Sequence, residues 1–316
     1  MTALKVDVTS AVPGQFLAYN GTKFVNTYGP GIGNVYYVDS GATGAVDDTS
    51  HGGSASRPFA TLDYAIGRCT ANNGDQIHLM PGHAENIASA TGCVFDVAGV
   101  KVVGHGSGSL RPTLTLTTAT TATISITAAN VWIENLLVVG NFLNIASAFT
   151  VAGTADGLTI KNVETRDTSA VLGALIQFSL ATGLTDVTFD GYVHRNGTTL
   201  TAPATNVIIA AGTYDRLTMV NCDIQCFTTA AAVSLSAGIG KDCLFLNNRL
   251  IQYETGAGLG YALNNSSTGF VDEFVGINLK NTVKAFTGTG VAVGPHCYYS
   301  NAVGAYAGLF NYTVDS

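Results

Sequence analysis

Ala129-Asn130-Val131-Trp132-Ile133-Glu134-Asn135-Leu136-Leu137-Val138-Val139-Gly140-Asn141 reads as a short strand, a bend at Asn135 and a second short strand. Its apolar residues fall at alternate positions, the period of a strand with one buried face. The same shape returns in Leu158-Thr159-Ile160-Lys161-Asn162-Val163, Val187-Thr188-Phe189-Asp190-Gly191-Tyr192, Leu217-Thr218-Met219-Val220-Asn221-Cys222 and Cys243-Leu244-Phe245-Leu246-Asn247-Asn248. Weaker copies are Phe274-Val275-Gly276-Ile277 and Tyr299-Ser300-Asn301-Ala302.

With Ile133, Ile160, Phe189, Met219, Phe245, Phe274 and Tyr299 as anchors, successive copies lie 27, 29, 30, 26, 29 and 25 residues apart. Val102 and Leu79 extend the series upstream by 31 and 23 residues. A strand and an Asn or Gly bend recurring at this period mark a solenoid, here a parallel β-helix with one copy per coil. Asn and Gly suit the bend because they tolerate the left-handed backbone of a sharp turn.

The chain has 316 residues, 47% hydrophobic and 11% charged, with 37 glycines, too apolar for a disordered chain. Low charge with abundant Thr, Ser and Asn fits ladders of small and β-branched side chains on stacked strands. A net charge of −7 with only 14 Lys and Arg argues against nucleic-acid binding. No charged-then-apolar leader follows Met1 and no apolar run is long enough to span a bilayer, so neither a signal peptide nor a membrane partner is expected. Cys69, Cys93, Cys222, Cys226, Cys243 and Cys297 lack metal-ligand spacing and read as reduced, mostly buried residues. No metal or other cofactor is expected.

Three segments are anticipated: an arm over residues 1–33, a lead-in with a capping helix over 34–74, and a β-helix of about nine coils over 75–316. In the arm, Phe16-Leu17-Ala18-Tyr19 and Phe24-Val25-Asn26 flank Asn20-Gly21, the strongest two-residue hairpin signal. In the lead-in, Thr61 is placed to cap a short helix with Leu62, Ala65 and Ile66 on its apolar face. Asp75, His78, His83 and Glu85 cluster at the first coil but read as residues of the turn leaving its strand.

The arm's Gly14-Gln15-Phe16-Leu17-Ala18-Tyr19-Asn20-Gly21-Thr22-Lys23-Phe24-Val25-Asn26 resembles a hairpin of phage tail-fibre and other virion proteins. The stretch from Asn34 through Arg57-Pro58-Phe59-Ala60-Thr61-Leu62 to Pro81-Gly82-His83-Ala84-Glu85 resembles the start of right-handed parallel β-helix proteins of the pectin-lyase-like, tailspike-like group, phage-encoded ones especially. The resemblance implies an all-β, right-handed parallel β-helix whose short helix plugs the open end, where apolar core and strand edges would otherwise be exposed. It also implies a homotrimer on the virion surface, made in the host cytoplasm. Phe16, Tyr19, Asn20, Gly21 and Phe24 would anchor the arm to the major capsid protein or another virion protein. The chain ends close to its last coil, so no large C-terminal adhesin is expected.

Residues flanking each anchor face outward. Those before it are Trp132, Thr159, Thr188, Thr218, Leu244 and Glu273; those after it are Glu134, Lys161, Asp190, Val220, Leu246 and Val275. Glu134 and Asp190, two coils apart at roughly 10 Å, approach the spacing of an inverting glycosidase pair, and Trp132 can stack on a sugar. Lys161 lies between them, so a ladder of alternating charge is the simpler reading, and no catalytic residue is assigned. A Ca²⁺-dependent lyase would need clustered Asp residues with a catalytic Arg or Lys, and no such cluster is evident. Val220, Leu244, Leu246 and Val275 form an apolar strip expected to be a subunit interface. The expected function is a structural virion protein, a homotrimeric capsid decoration or head spike that stabilises the shell or aids host adsorption. The alternative is a tailspike that binds or depolymerises bacterial surface polysaccharide, with Trp132, Glu134 and Asp190 as its glycan contacts.

Overall fold

A computed structural model describes residues 33–169, 171–196, 204–235, 240–253 and 261–264 with their side chains. Beyond these it describes the backbone of residues 236 and 265 and of the strands Val6–Asp7, Phe16–Tyr19, Phe24–Thr27, Asp272–Val275, Asn278–Asn281, Phe286–Gly288, Ala292–Val293, Tyr298–Asn301 and Tyr306–Leu309.

Each coil contributes one short strand to each of three long sheets. The central coil supplies Trp132–Glu134 to the first sheet, Leu137–Gly140 to the second and Phe149–Val151 to the third. Neighbours within a sheet are one coil apart in sequence and parallel, so the chain is an all-β parallel solenoid. Among the described residues the first two sheets hold ten strands each and the third holds eight. Among the described strands of these three sheets, only the last of the second sheet, Tyr306–Leu309, runs antiparallel to its neighbour. Among the described residues no helix is long and apolar enough to cross a membrane.

The inward residues of the first sheet form one column: Ile77, Val102, Ile133, Ile160, Phe189, Met219 and Phe245, all fully buried. Burying each such side chain contributes about 1.5–3 kcal/mol, and stacking like on like keeps the column dry. From the third sheet Phe149 stacks on Phe178 at 4.3 Å, and Phe178 meets Phe189 and Tyr192 edge-on at 4.9 and 5.1 Å. Three sheets thus share one core.

Two of the expected anchors are misplaced. Val102 pairs with Ile77, not Leu79. Both residues are fully buried, so a period of two cannot choose between them. Phe274 pairs with Val293, whereas Tyr299 pairs with Leu279 in the second sheet. A strand followed by Asn occurs in either sheet, and the local pattern does not say which.

The bends behave as their residue types require. Asn135, Asn162, Gly191, Asn221 and Asn247 close the first-sheet strands with φ between 50° and 66°. A second left-handed column precedes the same strands, at Gly99, Asn130, Gly157, Asp186, Arg216 and Asp242. In both columns the bend amide donates to a carbonyl one coil on: Asn135 to Lys161 at 3.0 Å, and Asn130 to Asp156 at 2.7 Å. Arg216 is the exception by type. Its guanidinium grips Asp186 at 2.6 and 2.9 Å and Asp215 at 2.8 Å.

The helix Leu62–Gly67 covers the start of the stack. Thr61 accepts from the Tyr64 amide at 3.4 Å, and Leu62, Ala65 and Ile66 are buried. Three of the first-coil polar residues build this cap. Glu85 accepts from the Leu62 amide at 2.9 Å, and His83 accepts from the Ser40 amide at 3.0 Å. Asp75, fully buried, takes the amides of Asn34 and Thr70, each at 2.6 Å. In the arm, Phe16–Tyr19 pairs antiparallel with Phe24–Thr27, with Tyr19 opposite Phe24. Asn20 and Gly21 themselves lie outside the described residues.

The Asn135 side chain also donates to the carbonyls of Gly104 and Gly106 at 2.8 and 3.0 Å. Asn135→Ala therefore loses both bonds and forces alanine into a left-handed backbone, a cost of about 2–4 kcal/mol. Asn135→Gly loses only the bonds and is the milder change. Urea denaturation of the two variants against the parent measures the difference.

Candidate functional site

The outer face of the first sheet carries the described residues that flank the anchors, and strand register continues their two columns to Glu273 and Val275. One column runs Lys101, Trp132, Thr159, Thr188, Thr218, Leu244, Glu273; the other runs His78, Val103, Glu134, Lys161, Asp190, Val220, Leu246, Val275. Neighbouring residues in a column are one strand spacing apart, about 4.8 Å.

The upper half of this face is polar and internally paired. Trp132 Nε1 donates to Glu134 Oε2 at 3.0 Å. Lys101 Nζ sits 4.6 Å above the Trp132 ring and 3.5 Å from the same Glu134 oxygen. Lys161 Nζ reaches Asp190 Oδ2 at 2.8 Å, and that hydrogen bond and charge raise the lysine's pKa. Glu134 and Asp190 thus each carry a lysine, and the Trp132 ring lies beneath a cation. The geometry matches the charge ladder and leaves Trp132 partly spoken for as a sugar platform.

The lower half is apolar. Val220 pairs with Leu246, and Thr218 with Leu244, so the strip is continuous in register. Val220, Leu244 and Leu246 are partly exposed. Val275 continues the column beside Leu246 in the backbone of strand Asp272–Val275, and its side chain lies outside the described residues. Of the arm residues, Phe16, Tyr19 and Phe24 fall on paired strands described by backbone alone.

The second sheet holds a cluster that the sequence reading missed. Arg111 donates to Glu164 at 3.0 Å and to the carbonyl of Asn162, and Arg166 grips the other Glu164 oxygen at 2.5 Å. A cleft of about 390 Å³ opens here between Gly108 and Ser109 on one side and Thr113, Leu137 and Arg166 on the other. Burial lowers the Arg111 pKa, and Glu164 opposes that shift. The guanidinium spans from the turn before Thr113 to a strand two coils on, with Leu137 between. No sequence signal marked it, because Arg111 lies outside the strand repeat.

Inside the solenoid, Thr165 hydroxyl is 2.7 Å from both Tyr192 Oη and His194 Nδ1. Burial first, then the Arg195 charge, pushes the His194 pKa down to about 3, so the imidazole is neutral. Cys69, Cys93, Cys222 and Cys226 are free thiols. Burial pushes Cys69 and Cys222 up to about 12, which removes them as nucleophiles at neutral pH. Among the described residues no group of three or more His, Cys, Asp or Glu is arranged to hold a metal.

No family model matches the chain, and no curated protein matches it. Among solved structures it is similar to a rhamnogalacturonan lyase, at 13% identity and a TM-score of 0.47, over 88% of this chain and 90% of that one. It is also similar to the GH136 lacto-N-biosidase of Eubacterium ramulus, at 14% identity and a TM-score of 0.41, over 78% of this chain and 56% of that one. The class that the strand pairing defines is the parallel β-solenoid.

Asp167 ends its second-sheet strand with Oδ1 accepting from the Ala174 amide at 3.2 Å and Gln177 at 3.3 Å, while Oδ2 is buried without a partner. Burial raises its pKa from 3.8 to about 7, against the pull of those two hydrogen bonds. The folded state therefore holds a proton that the unfolded state releases, and this residue's contribution to stability falls as pH rises from about 4 to 7. Asp167→Asn removes that dependence. Thermal denaturation at pH 4 and pH 8 is expected to show the variant gaining on the parent by several degrees at the higher pH.

Proposed function

We propose that this protein is a structural component of a phage particle, a homotrimeric β-solenoid displayed on the virion surface as a capsid decoration or head spike. The observation that carries the reading is the apolar strip Val220, Leu244 and Leu246, partly exposed on neighbouring strands of the first sheet. An apolar strip continuous over neighbouring strands is the kind of patch that monomers bury against another surface. Three solenoids standing side by side about a threefold axis would cover it, with Val275 extending the contact by one coil. The likeness of the arm to virion hairpins supports attachment through that end, to the major capsid protein or another virion protein.

The polar half of the same face supports a scaffold over a catalyst. Glu134 hydrogen-bonds Trp132 and lies 3.5 Å from Lys101, and Asp190 is held by Lys161. An inverting hydrolase needs one carboxyl protonated and the other free to activate water. The alternative is a tailspike that binds or depolymerises a bacterial surface polysaccharide, with Trp132, Glu134 and Asp190 as its glycan contacts.

Two measurements test this. Leu246→Lys places a charge in the strip, and light scattering should show the trimer dissociating or aggregating; an unchanged trimer rejects the interface. Quantitative mass spectrometry of purified virions gives the copy number against the major capsid protein. A comparable ratio supports a decoration trimer, a few trimers per particle favours the tailspike alternative, and absence from the particle rejects both.

A further inference from the structure

In the second-sheet cleft, Arg111 and Arg166 share a single carboxylate. Glu164 and Arg166 are outward residues of strand Glu164–Asp167, two positions apart. Glu164 gives one oxygen to each arginine, Oε2 to Arg111 at 3.0 Å and Oε1 to Arg166 Nε at 2.5 Å. Two arginines against one glutamate leave one net positive charge, and no other charged residue lines the cleft among the described residues. The chain as a whole carries −7, so the cleft is a local reversal of sign.

The two arginines are not equivalent. The Arg111 side chain is 18% exposed, and its terminal nitrogens are used, one on Glu164 and the other on the Asn162 carbonyl. The Arg166 side chain is 53% exposed and is bonded through Nε alone among the described residues, which leaves its Nη1–Nη2 edge open. Directly across the ladder from it stands Arg195, and like charges so placed repel. Arg195 has a carboxylate of its own coil-to-coil partner, Asp223, at 2.6 Å from Nη2, whereas Arg166 must share Glu164.

An open guanidinium edge presents two parallel N–H donors, the geometry that a carboxylate accepts in bidentate fashion. One surplus positive charge matches a monoanion, and the second charge of a dianion would be left to repel Glu164. The cleft of about 390 Å³ falls in the size range of small-molecule sites. Leu137, next to Glu164 in register and partly exposed, gives it an apolar wall, and Ser109 and Thr113 line the rest.

We propose that this cleft binds a small organic monocarboxylate, its anionic end on the open edge of Arg166 beside Arg111 and its apolar body against Leu137. The site lies on the second sheet and is independent of the apolar strip on the first and of the virion reading.

The test is saturation-transfer NMR on the whole 316-residue chain, with benzoate as the probe, benzamide as its uncharged isostere and sulfate as a bare dianion. Benzoate should give ring signals that weaken as NaCl is raised. Benzamide should give none, and sulfate should displace benzoate no better than chloride at equal ionic strength. Arg166→Gln should weaken benzoate binding by about tenfold or more. Arg166→Lys should lose less, because lysine keeps the charge and lacks the planar fork. Arg216→Gln should leave binding unchanged, since that arginine is engaged with Asp186 and Asp215 away from the cleft. Arg166 is exposed and tied only to Glu164, so its variants should keep the parent Tm. No benzoate signal, benzamide bound as well as benzoate, sulfate displacing benzoate better than chloride, or undiminished binding in a folded Arg166→Gln would overturn the proposal.

Discussion

The parallel register between neighbouring coils is the constraint on which the rest of this molecule depends. A parallel strand pair satisfies backbone hydrogen bonds only if each coil returns its strands to the same height and the same face. Coils here differ in length, and the excess is taken up in loops, while the first-sheet strands keep a left-handed residue at each end. Those residues let the chain turn sharply between sheets, and their amides bond to the coil ahead. The bends are therefore part of the ladder, and a disturbed bend loosens both the turn and the rung.

Once register is fixed, side-chain chemistry sorts into columns. Inward columns become a continuous apolar stack, and outward columns become surfaces whose character changes along the axis. On the first sheet the change is abrupt: the carboxylates Glu134 and Asp190 alternate with Lys161, and the next residues in line are Val220 and Leu246. The polar half satisfies itself through lysine pairs, and the apolar half has no such internal solution. That asymmetry on one face is the physical basis for reading the lower half as a contact surface and the upper half as a solvated one.

Much of this was legible in the chain. The repeat, the Asn and Gly bends, the Thr61 cap with Leu62, Ala65 and Ile66, and the alignment of Trp132 with Thr159 or Glu134 with Lys161 follow from period and residue type. Misreadings arose where the period carries no information. Ile77 and Leu79 are both inward, so alternation cannot say which one faces Val102. Tyr299 precedes an Asn bend pattern yet belongs to the second sheet. The preceding column of left-handed residues went unread because Asp186, Arg216 and Asp242 do not advertise a bend as Asn and Gly do.

The sequence by itself determined the architecture, because a strand period of two inside a coil period near 28 residues admits few folds other than a solenoid. Only the tertiary structure decided which distant groups meet. His78 and His105 lie 27 residues apart, Arg111 and Glu164 lie 53 apart, and Thr165 meets both Tyr192 and His194. Such contacts depend on coil lengths and on where each loop places its ends. A repeat pattern fixes the direction in which a side chain points, and the exact rise and register of the coils fix what it touches.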